Sequence, residues 1–202
     1  MLIAGPARAR RTLVLAHGAG AAMDTPFMDA IATGVAASGI RVVRFEFPYM
    51  AARREGRRPP PDREPVLRRS WEDVAGALGR PERLVIGGKS MGGRIASMVA
   101  DGLGVAGLVC LGYPFHPTGR PGVLRVAHLE ALRTPALIVQ GERDPMGTRA
   151  EVEGYRLSTA IRLHWLADGD HSFKPRKASG ETLEGHLADA SAAVAAFVRS
   201  LD

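Results

Sequence analysis

Apolar residues in this chain follow two rhythms, and the two alternate. Short apolar runs at 12–16, 84–88, 105–111 and 135–140 have the length and composition of buried strands. The segments 41–46 and 161–166 read as two more, the second by strict alternation of apolar and polar residues. Between the runs lie stripes at helical spacing. Phe27, Ile31 and Val35 follow Asp24-Thr25-Pro26, a capping residue with proline near the first helical position, and Gly39 ends the pattern. Leu67, Trp71, Val74 and Leu78 mark a second helix, and Ile95 and Val99 a third. Leu183, Leu187, Ala190, Val194 and Phe197 mark a long helix near the C-terminus. Strand and helix in alternation, with no internal repeat, predict an α/β fold around a mostly parallel sheet.

The 84–88 run stops at a glycine pair, and Gly88-Lys89-Ser90-Met91-Gly92 follows before a helical stripe begins. A serine on a sharp strand-to-helix turn needs small neighbours, because side chains two residues away would collide. Such a turn exposes the hydroxyl and aims the free N–H groups of the helix start at a reacting oxygen. A nucleophilic serine also needs a base and an acid to orient that base. Asp144 follows the 135–140 run, and His171 lies in Asp168-Gly169-Asp170-His171 just after the 161–166 strand. Both stand past the C-terminal ends of strands, where open α/β sheets form their sites. Glu142 is the reserve acid, and Asp168 and Asp170 read as turn residues or as residues that orient the His171 loop. His17 reads as a turn-packing residue, His116 as a loop residue able to line a substrate pocket, and His128, His164 and His186 as solvent-facing or packed.

Taken together, these segments resemble the α/β-hydrolase superfamily near its dienelactone-hydrolase-like branch. They are similar in particular to the small hydrolases related to testis-expressed protein thirty. The pieces that carry the likeness are His17-Gly-Ala-Gly20, Phe45-Glu-Phe-Pro-Tyr49, Gly88-Lys-Ser-Met-Gly-Gly-Arg94, Gly112-Tyr-Pro-Phe-His-Pro117, Gln140-Gly-Glu-Arg-Asp144 and Gly169-Asp-His-Ser-Phe173, which span nearly the whole chain. The order Ser90, Asp144, His171 is that of the superfamily. The resemblance implies a three-layer α/β/α hydrolase fold, with an oxyanion hole from the N–H groups of Met91 and Ala19 and with Gly20 beside the substrate. Dienelactone hydrolase itself uses a cysteine nucleophile, where this chain has Ser90.

Length and composition sharpen this picture. The 202 residues suit one domain, 1–202, and 46% hydrophobic content is ordinary for a globular core. The oxyanion strand arrives within the first fifteen residues, leaving little room for leading strands and none for a large lid, so a minimal core with an open site is expected. Cys110, the one cysteine, sits inside an apolar run and reads as a buried thiol. The first eleven residues are short and basic rather than apolar, and no stretch reaches transmembrane length, so a cytoplasmic enzyme without membrane association is expected.

The net charge of +6 comes nearly all from arginine, with lysine only at 89, 174 and 177. Segment 48–69 concentrates it: Arg53, Arg54, Arg57, Arg58, Arg63, Arg68 and Arg69 flank Pro59-Pro60-Pro61. The composition suggests one long loop rising beside the site, either a cationic rim for carboxylate or phosphate substrates or a solvated basic loop. As a rim it would bring Tyr49, Arg53 and Arg54 to the substrate.

The expectation is a serine hydrolase cleaving a small, possibly anionic ester or thioester, with no cofactor and no metal. An alternative is a non-catalytic scaffold with a cationic rim. A phosphate-binding loop is disfavoured, because Gly88-Lys89-Ser90 lacks the required glycine five residues before Gly88, where Arg83 stands. Nucleic-acid binding is not expected, since aromatics make up 5% of residues and do not interleave a basic stripe. Oligomeric state is left open.

Overall fold

The computed structural model describes residues 1–201. Seven strands form one sheet: β1 (Leu2–Ala4), β2 (Thr12–Ala16), β3 (Arg41–Phe45), β4 (Leu84–Lys89), β5 (Gly107–Leu111), β6 (Ala136–Gly141) and β7 (Ile161–Leu166). Their spatial order is β1-β3-β2-β4-β5-β6-β7. All neighbours are parallel except β1, a three-residue leading strand antiparallel to β3. The helices are α1 (Pro26–Ala36), α2 (Pro48–Arg54), α3 (Glu64–Leu78), α4 (Met91–Leu103), the short α5 (Arg149–Val152) and α6 (Leu183–Ser200).

Strand alternation divides the interior into two cores, one on each face of the sheet. Val14, Ile86, Leu108, Cys110 and Ile138 point to one side and meet Trp71 of α3 and Ile95 and Val99 of α4. Leu13, Leu15, Val85, Val109 and Val139 point to the other and meet Ile31 and Val35 of α1 and Val194 and Val198 of α6. Because β4, β5 and β6 are covered on both faces, they are apolar at nearly every position rather than alternating. The result is a three-layer α/β/α fold around a mostly parallel sheet, a minimal core with no large lid among the described residues.

Segment 48–69 departs from the expected single loop. Pro48 and Pro65 each stand at the start of a helix, where a fixed φ and a missing N–H carry no penalty. Arginine propagates a helix well, and Tyr49, Met50 and Ala52 give α2 a buried face. Only 55–63 stays irregular, so Arg53, Arg54, Arg68 and Arg69 lie on helices rather than on a long loop. No helix among the described residues is long and apolar enough to cross a membrane.

Candidate active site

The parallel strands all end on the same edge of the sheet, and that edge collects the singled-out residues. Ser90 follows β4 directly, with φ 50° and ψ −114°, a left-handed conformation that non-glycine residues adopt at a cost of about 1–3 kcal/mol. The glycines around it permit the turn. A side chain at Gly92 would put its Cβ 2.5 Å from the Ala16 carbonyl oxygen and 2.6 Å from that of His17. One at Gly93 would meet the Gly88 carbonyl oxygen at 2.6 Å. The Ser90 N–H donates to the Leu111 carbonyl at 3.0 Å, which anchors the elbow to the next strand.

Ser90 Oγ lies 2.9 Å from Nε2 of His171, and Nδ1 of the same ring lies 2.7 Å from Oδ2 of Asp144. Asp144 is fully buried. Its carboxylate accepts two further hydrogen bonds, from Gln140 Nε2 at 2.9 Å and from the Met146 N–H at 2.8 Å. Those bonds satisfy the charge and leave one oxygen aimed at the ring. With Asp144 as acceptor, the neutral imidazole carries its proton on Nδ1 and presents a free Nε2 lone pair to the hydroxyl. The loop holding His171 is set by Asp170, whose Oδ1 accepts from the N–H groups of Ser172 and Lys174, and by Asp168, which pairs with Arg176 and Arg143. Glu142, the reserve acid, points elsewhere: it bonds Arg149 and the Asp168 N–H.

A cavity of about 440 Å³ opens at Ser90 and His171. Its other walls come from 18–22, the start of α1 including Phe27, and Met146, with Lys89 at its edge. Ala19 and Gly20 therefore border the space in front of Ser90, and Met91 is the first residue of α4. The remaining singled-out residues stand outside these walls. Tyr49 is buried behind them and donates its hydroxyl to the Ala19 carbonyl. Arg53 lies over the Tyr49 ring at 5.1 Å and donates to the Pro59 carbonyl. Arg54 is held by Glu46 and Asp24. His116 is buried, with Nδ1 on the Pro117 carbonyl, and touches the site only through its N–H to the Met146 carbonyl.

His17 is buried between Gly18 and Phe47: Nδ1 donates to the Gly18 carbonyl and Nε2 accepts the Phe47 N–H at 3.1 Å. Burial holds its pKa below the usual histidine range, so it packs the turn as a neutral ring. In a second serine–histidine contact, Ser97 Oγ to His128 Nε2 at 2.8 Å, no hydrogen bond joins the His128 ring to a carboxylate among the described residues, and Asp101 is engaged by Thr134 and Arg133. Among the described residues no group of three or more histidine, cysteine or carboxylate side chains is gathered for a metal ion.

The sequence motifs include Gln140 and Lys89 but give neither a role at this site, and they do not include Met146. Gln140 was the findable one, a polar residue closing an apolar strand. It is fully buried, with Oε1 accepting the Tyr113 N–H at 2.7 Å while Nε2 reaches Asp144.

An elbow serine bonded to a histidine that is bonded to a buried aspartate, all at the C-terminal edge of one parallel sheet, invites comparison with known proteins. A family model described as an alpha/beta hydrolase domain matches residues 9–199. The chain belongs to the alpha/beta hydrolase family. Solved structures agree on the fold of this alpha/beta hydrolase. An alpha-beta serine hydrolase homologue from Coxiella burnetii matches with a TM-score of 0.71 and 19% identity, over 100% of this chain and 90% of that one. Dienelactone hydrolase from Anabaena variabilis matches with 0.71 and 20%, over 98% and 89%. A lidless serine hydrolase from Xanthomonas campestris matches with 0.67 and 20%, over 98% and 86%.

Proposed function

We propose that this alpha/beta hydrolase cleaves small esters or thioesters through an acyl-enzyme on Ser90. The observation that carries the reading is the unbroken relay from Ser90 Oγ to His171 to Asp144, at 2.9 and 2.7 Å. In the first half-reaction Ser90 Oγ attacks the substrate carbonyl carbon while His171 Nε2 takes the hydroxyl proton. Asp144 holds the ring and stabilises the imidazolium. The oxyanion that forms is received by the Met91 and Ala19 N–H groups, whose place at the start of α4 and beside the cavity suits the role. Collapse expels the alcohol or thiol, protonated by His171. Water then attacks the acyl-enzyme, gives its proton to His171, and the acid leaves as Ser90 recovers its hydrogen.

The cavity size favours a short acyl group over a long lipid chain. Its apolar wall of Ala19, Ala22, Phe27 and Met146 suits carbon rather than charge. The arginines of 53–69 do not enter that wall, so the cationic rim is no part of this reading. Kinship with the small hydrolases related to testis-expressed protein thirty is proposed on the motifs alone.

A fluorophosphonate probe, an electrophile selective for activated serines, tests the reading. Wild-type protein is expected to label, with labelling lost in Ser90→Ala and in His171→Ala; turnover of short-chain esters should fall by about a million-fold in either variant. A folded wild type that does not label would overturn the reading in favour of a scaffold that keeps the fold without the chemistry.

A further inference from the structure

Lys89 stands directly before Ser90, and the mechanism above leaves it without a task. It closes β4, and its Nζ donates to the main-chain carbonyl of His171 at 2.5 Å. The ammonium lies 5.5 Å from the Phe27 ring centre and 5.8 Å from that of Phe173, two rings that meet each other at 5.2 Å. Gly112, with φ +65°, leaves the room: a Cβ there would lie 2.7 Å from Nζ and 2.8 Å from the His171 oxygen. No main-chain N–H reaches that carbonyl among the described residues. Two consecutive residues thus grip one histidine, Ser90 by its ring and Lys89 by its main chain.

A half-buried amine at a cavity wall, packed against two rings, is costly unless its charge is met. The charges acting on this one are Asp144 and Asp170, and the aromatic pair supplies cation–π attraction. Burial nevertheless pulls its pKa down from 10.5 to about 8. Around neutral pH the amine is mainly charged and makes its strongest bond to the carbonyl. Asp170 and Phe173 fix the loop after His171, the latter with φ 68°, so Lys89 supplies the tie at His171 itself.

We propose that Lys89 is a positioning residue whose tether on the His171 main chain keeps the imidazole in line between Ser90 and Asp144. The proposal rests on the catalytic reading of those three residues. A ring displaced by a fraction of an ångström loses rate without losing substrate affinity, at up to about a hundred-fold per ångström.

The test is Lys89→Met, which keeps length and apolar bulk and removes the donor. Two readouts are needed. One is the low-field proton resonance of the His171–Asp144 hydrogen bond in protein with labelled histidine, identified by its loss in Asp144→Asn. The other is ester turnover. The expected result is a shifted or broadened resonance, with kcat reduced by about ten- to a hundred-fold and KM little changed. Lys89→Cys, alkylated with bromoethylamine to rebuild the amine, should restore both. Cys110 is spared, because it is fully buried and its thiol is held far above the usual range by that burial. If Lys89→Met fails to fold, the comparison is made on Lys89→Cys before and after alkylation. An unmoved resonance in a folded variant overturns the proposal, as does a rate that alkylation does not restore. A moved resonance in a protein that no probe labels would keep the tether and remove the hydrolase reading; labelling with an unmoved resonance would do the reverse.

Discussion

The hydroxyl of Tyr49 donates to the carbonyl oxygen of Ala19 at 2.9 Å, with the Gly18 carbonyl at 3.3 Å, so helix α2 holds the loop after β2 by its main chain. That loop carries the proposed Ala19 oxyanion donor. The phenol is buried, which raises its pKa to about 12 and keeps the proton in place across the working range. The sequence suggests Tyr49 as a substrate contact; its buried position suits a brace for the wall the substrate would meet.

Tyr49→Phe removes the brace and little else. The lost hydrogen bond should cost about 1 kcal/mol of stability, read as a lower urea midpoint. If the same energy is lost in holding Ala19, ester turnover falls by about fivefold. Unchanged turnover with lowered stability would show that the loop holds its shape unaided.

Asp144→Asn should leave the fold standing and remove most activity. The amide can turn an N–H toward His171 Nδ1, which favours the tautomer that has no lone pair for the Ser90 hydroxyl. A fall of about ten-thousand-fold in kcat is expected, measured as ester turnover or as the rate of fluorophosphonate labelling. Glu142 offers no replacement, because it is bound by Arg149 on the far side of its loop.

Two glycines of α4 should respond in opposite directions to the same change. Gly92→Ala forces a methyl group against the carbonyl oxygens of Ala16 and His17, at 2.5 and 2.6 Å, where only main chain could yield. Overpacking of this kind costs about 1–3 kcal/mol. Gly102→Ala meets nothing within 4 Å and replaces a poor helix former near the end of the helix. It should gain up to about 1 kcal/mol. Thermal unfolding of the two variants beside wild type separates them.

The pH dependence of stability should carry the mark of Lys89. Its pKa is about 8 in the folded protein and 10.5 when exposed, so between those values the unfolded chain binds more protons. Stability therefore rises with pH in that window. Denaturant midpoints of wild type should gain on those of Lys89→Met as pH goes from about 8 to about 10. Tyr49 works in the opposite sense above pH 10, because its folded pKa is the higher one, but it does so equally in both proteins. Parallel profiles would mean that the amine titrates as an exposed lysine.

Much of the architecture could be read in advance, because it depends on local periodicity. A strand covered on both faces must be apolar throughout, as 84–88 and 107–111 are. A helix packed on one side must repeat near 3.6, as Phe27, Ile31 and Val35 do. The serine elbow was legible for a related reason. Its steric demand falls on neighbours in sequence, and Gly88, Gly92 and Gly93 announce it. Segment 48–69 differs from its composition: prolines and arginines suggest a loop, while Pro48 and Pro65 are helix starters by position.

The sequence by itself determined which segments become strands and helices, and so which residues end up on the C-terminal edge of the sheet. Alternating strands and helices force a parallel sheet, whose strand ends share one edge, and for that reason Ser90, Asp144 and His171 could be named from their places past strand ends. Distances across that edge belong to the tertiary structure alone. Gln140 against Asp144, Tyr49 against Ala19 and Lys89 against the His171 carbonyl join residues up to 82 positions apart. The last two join side chain to main chain, and a carbonyl has no residue type by which a sequence could disclose it. The arginines show the same divide: their number is written in the chain, but only packing decided that Arg53 would cover Tyr49 and Arg54 would pair with Glu46.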